Sequence, residues 1–352
     1  MSKADIELVL VLRAANDPKR TFIDSCFCAL QSTMMKAKIL ALVLIIAVIV
    51  ACSKPPSLPD DGFVDVQGGR VAFRVVGRGL STPVLWIHGG PGGSSCSYVA
   101  NLNGIAAERP VILYDQLGSG YSDRIENLEQ LARLPRFVEE IDAIRAELGL
   151  VELHIVGHSW GATVALEYLL TAEPTGIKST VFVGPLFGTE RWIADANKLL
   201  AELPAETQEA VRLAVESGDF DSSDFEAAND LFWDTFGIRT PREQLNLEPC
   251  EKKPSGNSGL FRYMWGPSEF ISNGTLKDYD RIGRLTELEL PVLFVAGQYD
   301  ESRPETVEYY QQLVDGSKIK ILPDAGHMVH LDQTDMFNSA LADFFEEVES
   351  RR

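Results

Sequence analysis

The sequence predicts an α/β fold, in which helices cover both faces of a mostly parallel sheet and a helical cap interrupts the core. Two observations support this prediction. Short apolar runs alternate with helical patterns along most of the chain, which is the order expected of a parallel sheet with helices on both faces. The alternation stops between residues 188 and 288, where the pattern becomes helical and acidic. We therefore expect a core at 63–187 and 289–352 and a cap at 188–288.

Six segments are apolar enough to form buried strands. They are Pro83–Ile87, Pro110–Tyr114, Leu153–Val156, Thr180–Val183, Pro291–Ala296 and Ile319–Leu322. An amphipathic helix is expected between the second and third strands, because apolar residues recur there at helical spacing and Gly149 is placed to end it. The helical patterns of the cap run through Glu190–Leu203, Ala205–Val215 and Asp224–Phe236.

Composition and charge exclude several classes of protein. The chain has 352 residues, 45% of them hydrophobic and 24% charged, which is ordinary for a globular protein. A formal charge of −19 repels phosphate backbones and argues against nucleic-acid binding. The five cysteines show no paired C-x-x-C spacing, so we expect neither a zinc site nor a disulfide framework. Whether Cys96 and Cys250 pair stays open.

The N-terminal region resembles a secretory signal. A basic stretch at 34–38 precedes the apolar run Ile39–Ala51, which is shorter than the roughly 20 residues that a helix needs to cross a bilayer. Ile49–Cys52 resembles a bacterial lipobox, which predicts lipidation of Cys52. Residues 1–51 would then be an upstream segment and signal peptide, and residues 52–62 a linker. The expected location is the bacterial cell envelope, on the outer membrane facing the periplasm in a Gram-negative host.

One feature bears on where the signal begins. A signal begins at the start of a chain, whereas here 33 residues precede Met34, so we expect the true start to lie downstream of Met1. The alternative is a protein anchored by its N-terminus with a short cytoplasmic arm.

The segment Gly157–Gly161 has the pattern G-x-S-x-G and predicts a catalytic serine. It follows a predicted strand and precedes a helical pattern that runs to about Ala172. The two glycines allow the sharp turn that exposes the central hydroxyl above the sheet, and the helix N-terminus points at the reacting carbonyl. We therefore predict Ser159 as the nucleophile.

A serine nucleophile needs a general base, and the chain has five histidines. His154 lies inside a predicted strand, His158 is expected to point elsewhere on the turn, and His88 belongs to a glycine-rich loop. His327 follows the last predicted strand, in a loop at the carboxyl edge of the sheet, and is the predicted base. His330, which begins the next helical stretch, is the alternative.

The remaining catalytic groups follow from their position after strands. Asp300 comes after the strand at 291–296 and is predicted to orient His327, with the adjacent Glu301 as its rival. The glycine-rich loop at 88–92 is of the kind that supplies backbone donors to an oxyanion. The predicted oxyanion hole is the N–H of Gly90 and the N–H of Trp160. No metal ion or cofactor is required.

Five motifs together resemble the proline iminopeptidase family of serine aminopeptidases, which have the α/β-hydrolase fold. They are HGGPG at 88–92, DQLGSGYS at 115–122, GHSWG at 157–161, GQYDE at 297–301 and GH at 326–327. The resemblance covers about residues 63–349. Two positions depart from it, because the family usually has Arg where Leu117 stands and often has Gly where His158 stands.

The resemblance implies an aminopeptidase that acts on short peptides with a free N-terminus and releases proline or a small apolar residue through an acyl-enzyme. It also implies that Glu269 and Glu301 bind the substrate amine. Aromatic residues of the cap could line a pocket for the proline ring, although most are expected in its core. Two alternatives remain: an esterase, amidase or lactonase with the same triad, and a surface lipoprotein that only binds a ligand. The oligomeric state is not predicted.

Overall fold

The computed structural model describes residues 58–247, 250 and 256–351. The fold described below lies within Pro59–Arg352. The predicted signal and Cys52 lie outside the described residues, so lipidation stays a prediction. Within the described ranges, each helix is too short or too polar to cross a membrane.

An eight-stranded sheet forms the centre of the fold. Its spatial order is β1-β2-β4-β3-β5-β6-β7-β8; β2 is antiparallel to β1 and β4, and the other neighbouring strands are parallel. The strands are β1 Asp61–Val66, β2 Gly69–Val76, β3 Val84–Ile87, β4 Val111–Tyr114, β5 Leu153–His158, β6 Ile177–Val183, β7 Val292–Gly297 and β8 Lys318–Leu322.

Twelve described α-helices accompany the sheet. Those of the first part of the core are α1 Cys96–Val99, α2 Asn103–Ala106, α3 Leu128–Leu131, α4 Leu134–Leu148 and α5 Trp160–Thr171. Those between β6 and β7 are α6 Thr189–Leu200, α7 Ala205–Ser217, α8 Ser223–Phe232 and α9 Ser258–Met264. The last three are α10 Pro304–Gln312, α11 Val329–Asp332 and α12 Thr334–Ser350.

The six predicted strands are all present, with ends shifted by up to three residues. Strands β3, β4, β5 and β7 are buried along their whole length, as expected of strands covered on both faces. The β1–β2 hairpin was not predicted. Its strands alternate between buried and accessible residues, the pattern of a sheet edge, and β1 begins at Asp61, inside the predicted linker.

The segment between β6 and β7 contributes no strand to the sheet within its described residues. Helix α8 continues into a π-helical turn at Trp233–Gly237, and two short 3₁₀ helices lie at Arg242–Gln244 and Ile282–Glu287. A disulfide joins Cys250 of this segment to Cys96 of the core, which answers the question that the sequence left open.

The loops that carry the candidate functional residues all leave from one edge of the sheet, because the strands before them end in register. Ile87, the last residue of β3, lies opposite both Tyr114 of β4 and Gly157 of β5. Because these strands are parallel, the loops that follow them all leave from the same edge. The loops after β6, β7 and β8 leave from that edge as well. Ligands bind at this edge in open α/β sheets.

A buried ion pair ties the last helix to the sheet. Arg109, which is 2% exposed, donates to Glu349 of α12 over 2.7 Å, and Nε2 of His154 in β5 lies 3.1 Å from the same carboxylate oxygen. Although partial burial opposes it, the hydrogen bonds from Arg109 and His154 lower the pKa of Glu349 to about 2. The carboxylate is therefore ionised throughout the neutral range.

Replacing Glu349 by Gln should lower the free energy of unfolding by about 2 kcal/mol, because it leaves the Arg109 guanidinium buried without a counter-charge. Urea denaturation checks this value. Glu346→Gln, an exposed position on the same helix, is the control. Equal losses in the two variants would show that the buried pair contributes nothing specific.

Candidate active site

The turn between β5 and α5 holds Ser159 in a conformation that few residues adopt, with φ 56° and ψ −120°. Close packing on both sides fixes the turn. A Cβ on Gly157 would lie 2.4 Å from the carbonyl oxygen of Gly161, and a Cβ on Gly161 would lie 2.1 Å from that of Ile87. Neither distance is possible for a side chain, so both positions require glycine. This is the geometry of a nucleophile elbow.

The glycine-rich loop after β3 lies against the elbow. A Cβ on Gly89 would be 3.2 Å from Cβ of Ser159, and Gly90 has the left-handed φ of +134°. Trp160 is the first residue of α5, where a backbone N–H has no acceptor within the helix. Gly90 lines the same cavity as Ser159, and Trp160 directly follows Ser159 at the start of α5. Their role as oxyanion donors stays a prediction.

Gln116 joins the glycine-rich loop to the elbow. Its side-chain amide donates to the carbonyl oxygen of His88 over 2.9 Å and accepts from the indole N–H of Trp160 over 2.7 Å. Its backbone N–H donates to Nε2 of His88 over 3.0 Å. The motif at 115–122 drew attention to this residue, but only the structure reveals the bridge. The neighbouring Leu117, where the family usually has Arg, is buried and donates its N–H to Glu140.

His327 and Asp300 form a buried pair beside the elbow. Nδ1 of His327 lies 2.7 Å from Oδ1 of Asp300, which also accepts from the N–H of Ser302 over 2.8 Å. The two side chains are almost fully buried. His330, the alternative base, is turned away: its ring stacks on Tyr98 and its Nε2 lies 3.1 Å from Oγ of Ser97. The geometry thus favours His327, oriented by Asp300, as the base.

Two glutamates reach the same cavity. Oε1 of Glu301 lies 3.5 Å from Nε2 of His327, and its Oε2 has no hydrogen-bond partner among the described residues. Burial raises the pKa of Glu301 well above its ordinary value, and the nearby carboxylates of Glu269 and Asp300 raise it further. Burial also raises the pKa of Glu269, to about 7, against the opposing effect of His327.

A cavity of about 380 Å³ contains these groups. Its lining includes Ser159, His327, Glu269 and Glu301. Two aromatic residues of the predicted cap, Trp233 and Phe261, also line it. Five others are buried within the protein: Trp192, Phe232, Phe236, Trp265 and Phe270. Among residues 58–247, 250 and 256–351, no cluster of His, Cys, Asp and Glu is arranged to hold a metal ion.

Gly184, which the sequence did not single out, lies against the pair formed by His327 and Asp300, and its lack of a side chain leaves room for the imidazole ring. It follows β6 with φ +49°, and a Cβ there would lie 2.7 Å from Nδ1 of His327 and 3.1 Å from Oδ2 of Asp300. A glycine directly after a buried strand, at the edge where the other functional loops leave, was the available signal.

Gly184→Ala should slow the labelling of Ser159 by a fluorophosphonate about 10-fold to 100-fold, because the new methyl group displaces the imidazole from its position. The rate of labelling measures this effect without any assumption about the substrate. Gly149→Ala is a matched control: Gly149 also has a left-handed φ, +63°, but a Cβ there meets nothing within 4 Å. A similar loss of labelling in both variants would point to backbone strain instead.

Comparison with known proteins agrees with this geometry. Residues 82–334 match the α/β-hydrolase fold family. A proline iminopeptidase of Heyndrickxia coagulans is 42% identical over 291 residues, which are 82% of this chain and 99% of that protein.

Solved structures extend the comparison. The crystal structure of a proline iminopeptidase from Mycobacterium smegmatis superposes with a TM-score of 0.72 at 28% identity, covering 83% of this chain and 99% of that one. An esterase from Rhodococcus superposes with a TM-score of 0.58 at 21% identity over 82% of this chain and all of that one, a likeness of fold alone. The fold expected from the sequence is confirmed, and the chain belongs to the proline iminopeptidase family of α/β-hydrolase enzymes.

Proposed function

We propose that this protein is a serine aminopeptidase that releases proline, or another small apolar residue, from the N-terminus of short peptides. The observation that carries the proposal is a pair of carboxyl groups, the buried Glu301 and the partly buried Glu269, in the cavity that contains Ser159. Burying a carboxylate without a counter-charge is unfavourable, which is why the pKa values of both groups are raised. A substrate ammonium group would supply the missing charge.

The position of Glu301 fits removal of a single residue. In a peptide the terminal nitrogen and the first carbonyl carbon are only about 2.5 Å apart, since one carbon separates them. A site that holds the amine must therefore lie close to the catalytic base. Glu301 meets this requirement, with Oε1 at 3.5 Å from Nε2 of His327. A longer N-terminal extension would collide with the carboxyl pair.

The reaction follows from these roles. Ser159 attacks the first carbonyl carbon while His327 takes its proton, and Asp300 stabilises the imidazolium. The N–H groups of Gly90 and Trp160 stabilise the oxyanion. His327 then protonates the departing peptide amine, which leaves residue one bound to Ser159 as an ester, and water attacks this ester with His327 again as the base.

The carboxyl pair also argues against a simple esterase. Fold and triad do not fix the leaving group, so an ester or lactone substrate is chemically possible. Such a substrate carries no cation, however, and would make no use of the negative charge that Glu269 and Glu301 can supply. The Heyndrickxia coagulans relative, named a proline iminopeptidase, supports the same choice.

Glu269→Gln and Glu301→Gln should each raise KM for a prolyl arylamide about 10-fold to 100-fold, because a neutral amide cannot balance the ammonium charge. Labelling of Ser159 by a fluorophosphonate should stay within about threefold, since that probe carries no amine. Glu308→Gln, an exposed position, is the control. An unchanged KM in both cavity variants would contradict the amine-binding role.

Lowering the pH should weaken amine binding. The pKa of Glu269 is raised to about 7, so the carboxyl group gains a proton and loses its charge as the pH falls through that value. KM for a prolyl arylamide should rise on the order of tenfold between pH about 7.5 and about 5.5, while the amine stays protonated. An acetyl ester without an amine should keep its KM, and equal changes for both substrates would exclude this cause.

The proposed location is the cell envelope, with Cys52 lipidated. The sequence pattern at 34–52 supports it, and so does the disulfide between Cys96 and Cys250, because disulfides persist mainly in oxidising compartments. Mass spectrometry of the mature protein from its own host tests the proposal. We expect a lipid-modified peptide beginning at Cys52. Any peptide from residues 1–33 in the mature form would contradict it.

A further inference from the structure

His158, which precedes the nucleophile, is buried beside the catalytic base. It is 1% exposed, and its ring centroid lies 4.6 Å from that of His327. The sequence suggested only that this side chain points elsewhere on the turn. In the structure it makes two hydrogen bonds, to groups on opposite sides of the ring.

The two hydrogen bonds fix the tautomer of His158. Nε2 lies 3.0 Å from the backbone carbonyl oxygen of His327, which can only accept, so Nε2 carries the hydrogen. Nδ1 of the neutral ring is then an acceptor. The hydroxyl of Tyr98, 2.7 Å away, therefore donates to it.

The bond from His158 is one of two that hold the backbone of His327. On the other side, the N–H of His327 donates to the carbonyl oxygen of Phe236 over 2.8 Å, and the next residue, Met328, donates to Gly237 over the same distance. The loop that carries His327 is therefore hydrogen-bonded on one side to the segment between β6 and β7 and on the other side to the nucleophile elbow. Because His158 and Ser159 are adjacent in one rigid turn, the bond to His327 ties base and nucleophile to the same element.

The surroundings of His158 keep it neutral. The titratable groups that face it are Tyr98 from α1, His330 from α11, His327, and His88 from the glycine-rich loop. Burial lowers the pKa of His158 well below its ordinary value, and the three neighbouring histidines lower it further. The ring therefore keeps the acceptor that Tyr98 requires, and it adds no positive charge beside His327 when that residue takes the proton of Ser159.

We propose that His158 is a positioning residue: its hydrogen bond to the carbonyl of His327 holds the base at the distance from Ser159 that proton transfer requires, and Tyr98 fixes the tautomer that makes this bond possible. The proposal rests on the triad of the proposed function. It does not depend on which acyl group the enzyme accepts.

Three variants separate positioning from packing. His158→Leu removes both hydrogen bonds and keeps much of the volume, His158→Gln returns a donor near the place of Nε2, and Tyr98→Phe removes only the hydroxyl. The measurements are the rate of fluorophosphonate labelling of Ser159, and kcat and KM for a prolyl arylamide and for p-nitrophenyl acetate. His154→Gln, a buried histidine outside the cavity, is the matched control.

His158→Leu should lower kcat and the labelling rate about 100-fold with KM within about threefold, since a small displacement of a catalytic group has an effect of this size. His158→Gln should recover at least about tenfold of the loss, and Tyr98→Phe should lie between it and wild type. The control should lose stability and keep its kcat.

Two results would overturn the proposal: an unchanged kcat in His158→Leu, or equal losses in His158→Leu and His158→Gln, which would mean that the ring only fills space. If His158→Leu does not fold, Tyr98→Phe decides: slower labelling at constant KM supports positioning, and unchanged labelling refutes it. A wild type that cleaves p-nitrophenyl acetate but no arylamide would refute the aminopeptidase function, while the labelling rates would still test His158.

Discussion

The close approach of α5 to the end of β3 is the constraint on which the rest of the site depends. Gly161 lies so near the carbonyl oxygen of Ile87 that no side chain fits between them. The start of the helix is thereby pressed against the sheet edge, and Ser159 must take its unusual backbone conformation to connect the two. The hydroxyl, the first helical N–H groups and the glycine-rich loop then share one small space. Packing of glycines, more than any single hydrogen bond, sets the position of the nucleophile.

The packing of glycines stabilises the site, whereas the carboxyl groups of Glu269 and Glu301 in the cavity destabilise the folded protein. A buried Glu301 with one oxygen lacking a partner destabilises the free protein, and its raised pKa is the sign of this. Such an arrangement persists where function requires it. Under the proposed function, a bound cation compensates the buried negative charge. Part of the affinity for substrate therefore comes from removing a destabilising feature of the free protein.

Much of the fold followed from local sequence because its signals are local. The parallel strands are continuous apolar runs. The elbow with Ser159 and the loops that carry His327 and Asp300 each follow a strand in a recognisable pattern. The β1–β2 hairpin was missed because its alternation is weak and it lies at the sheet edge, where one face meets water. The choice of His327 over His330 as the base, made because His327 lies in the loop after the last strand, stays a prediction that the pairing of His327 with Asp300 favours.

Contacts between distant parts of the chain could not be derived in this way. Gly184 matters because of a histidine that lies more than a hundred residues further along the chain, and the bridge made by Gln116 joins two separate loops. The role of His158 depends on the tautomer that Tyr98 and a backbone carbonyl impose together. No pattern within one segment contains this information, because it exists only once the strands have assembled.

The disulfide between Cys96 and Cys250 has a consequence for the maturation of the chain. The two residues are 154 positions apart, so the thiol of Cys96 has no partner until that length of chain has been added. The other cysteines, Cys26, Cys28 and Cys52, all precede it and are possible wrong partners. If the chain is cleaved and lipidated at Cys52, the leader removes two of them and the lipid consumes the third. Before oxidation only Cys96 and Cys250 would then carry free thiols, so only the disulfide between them could form within the chain.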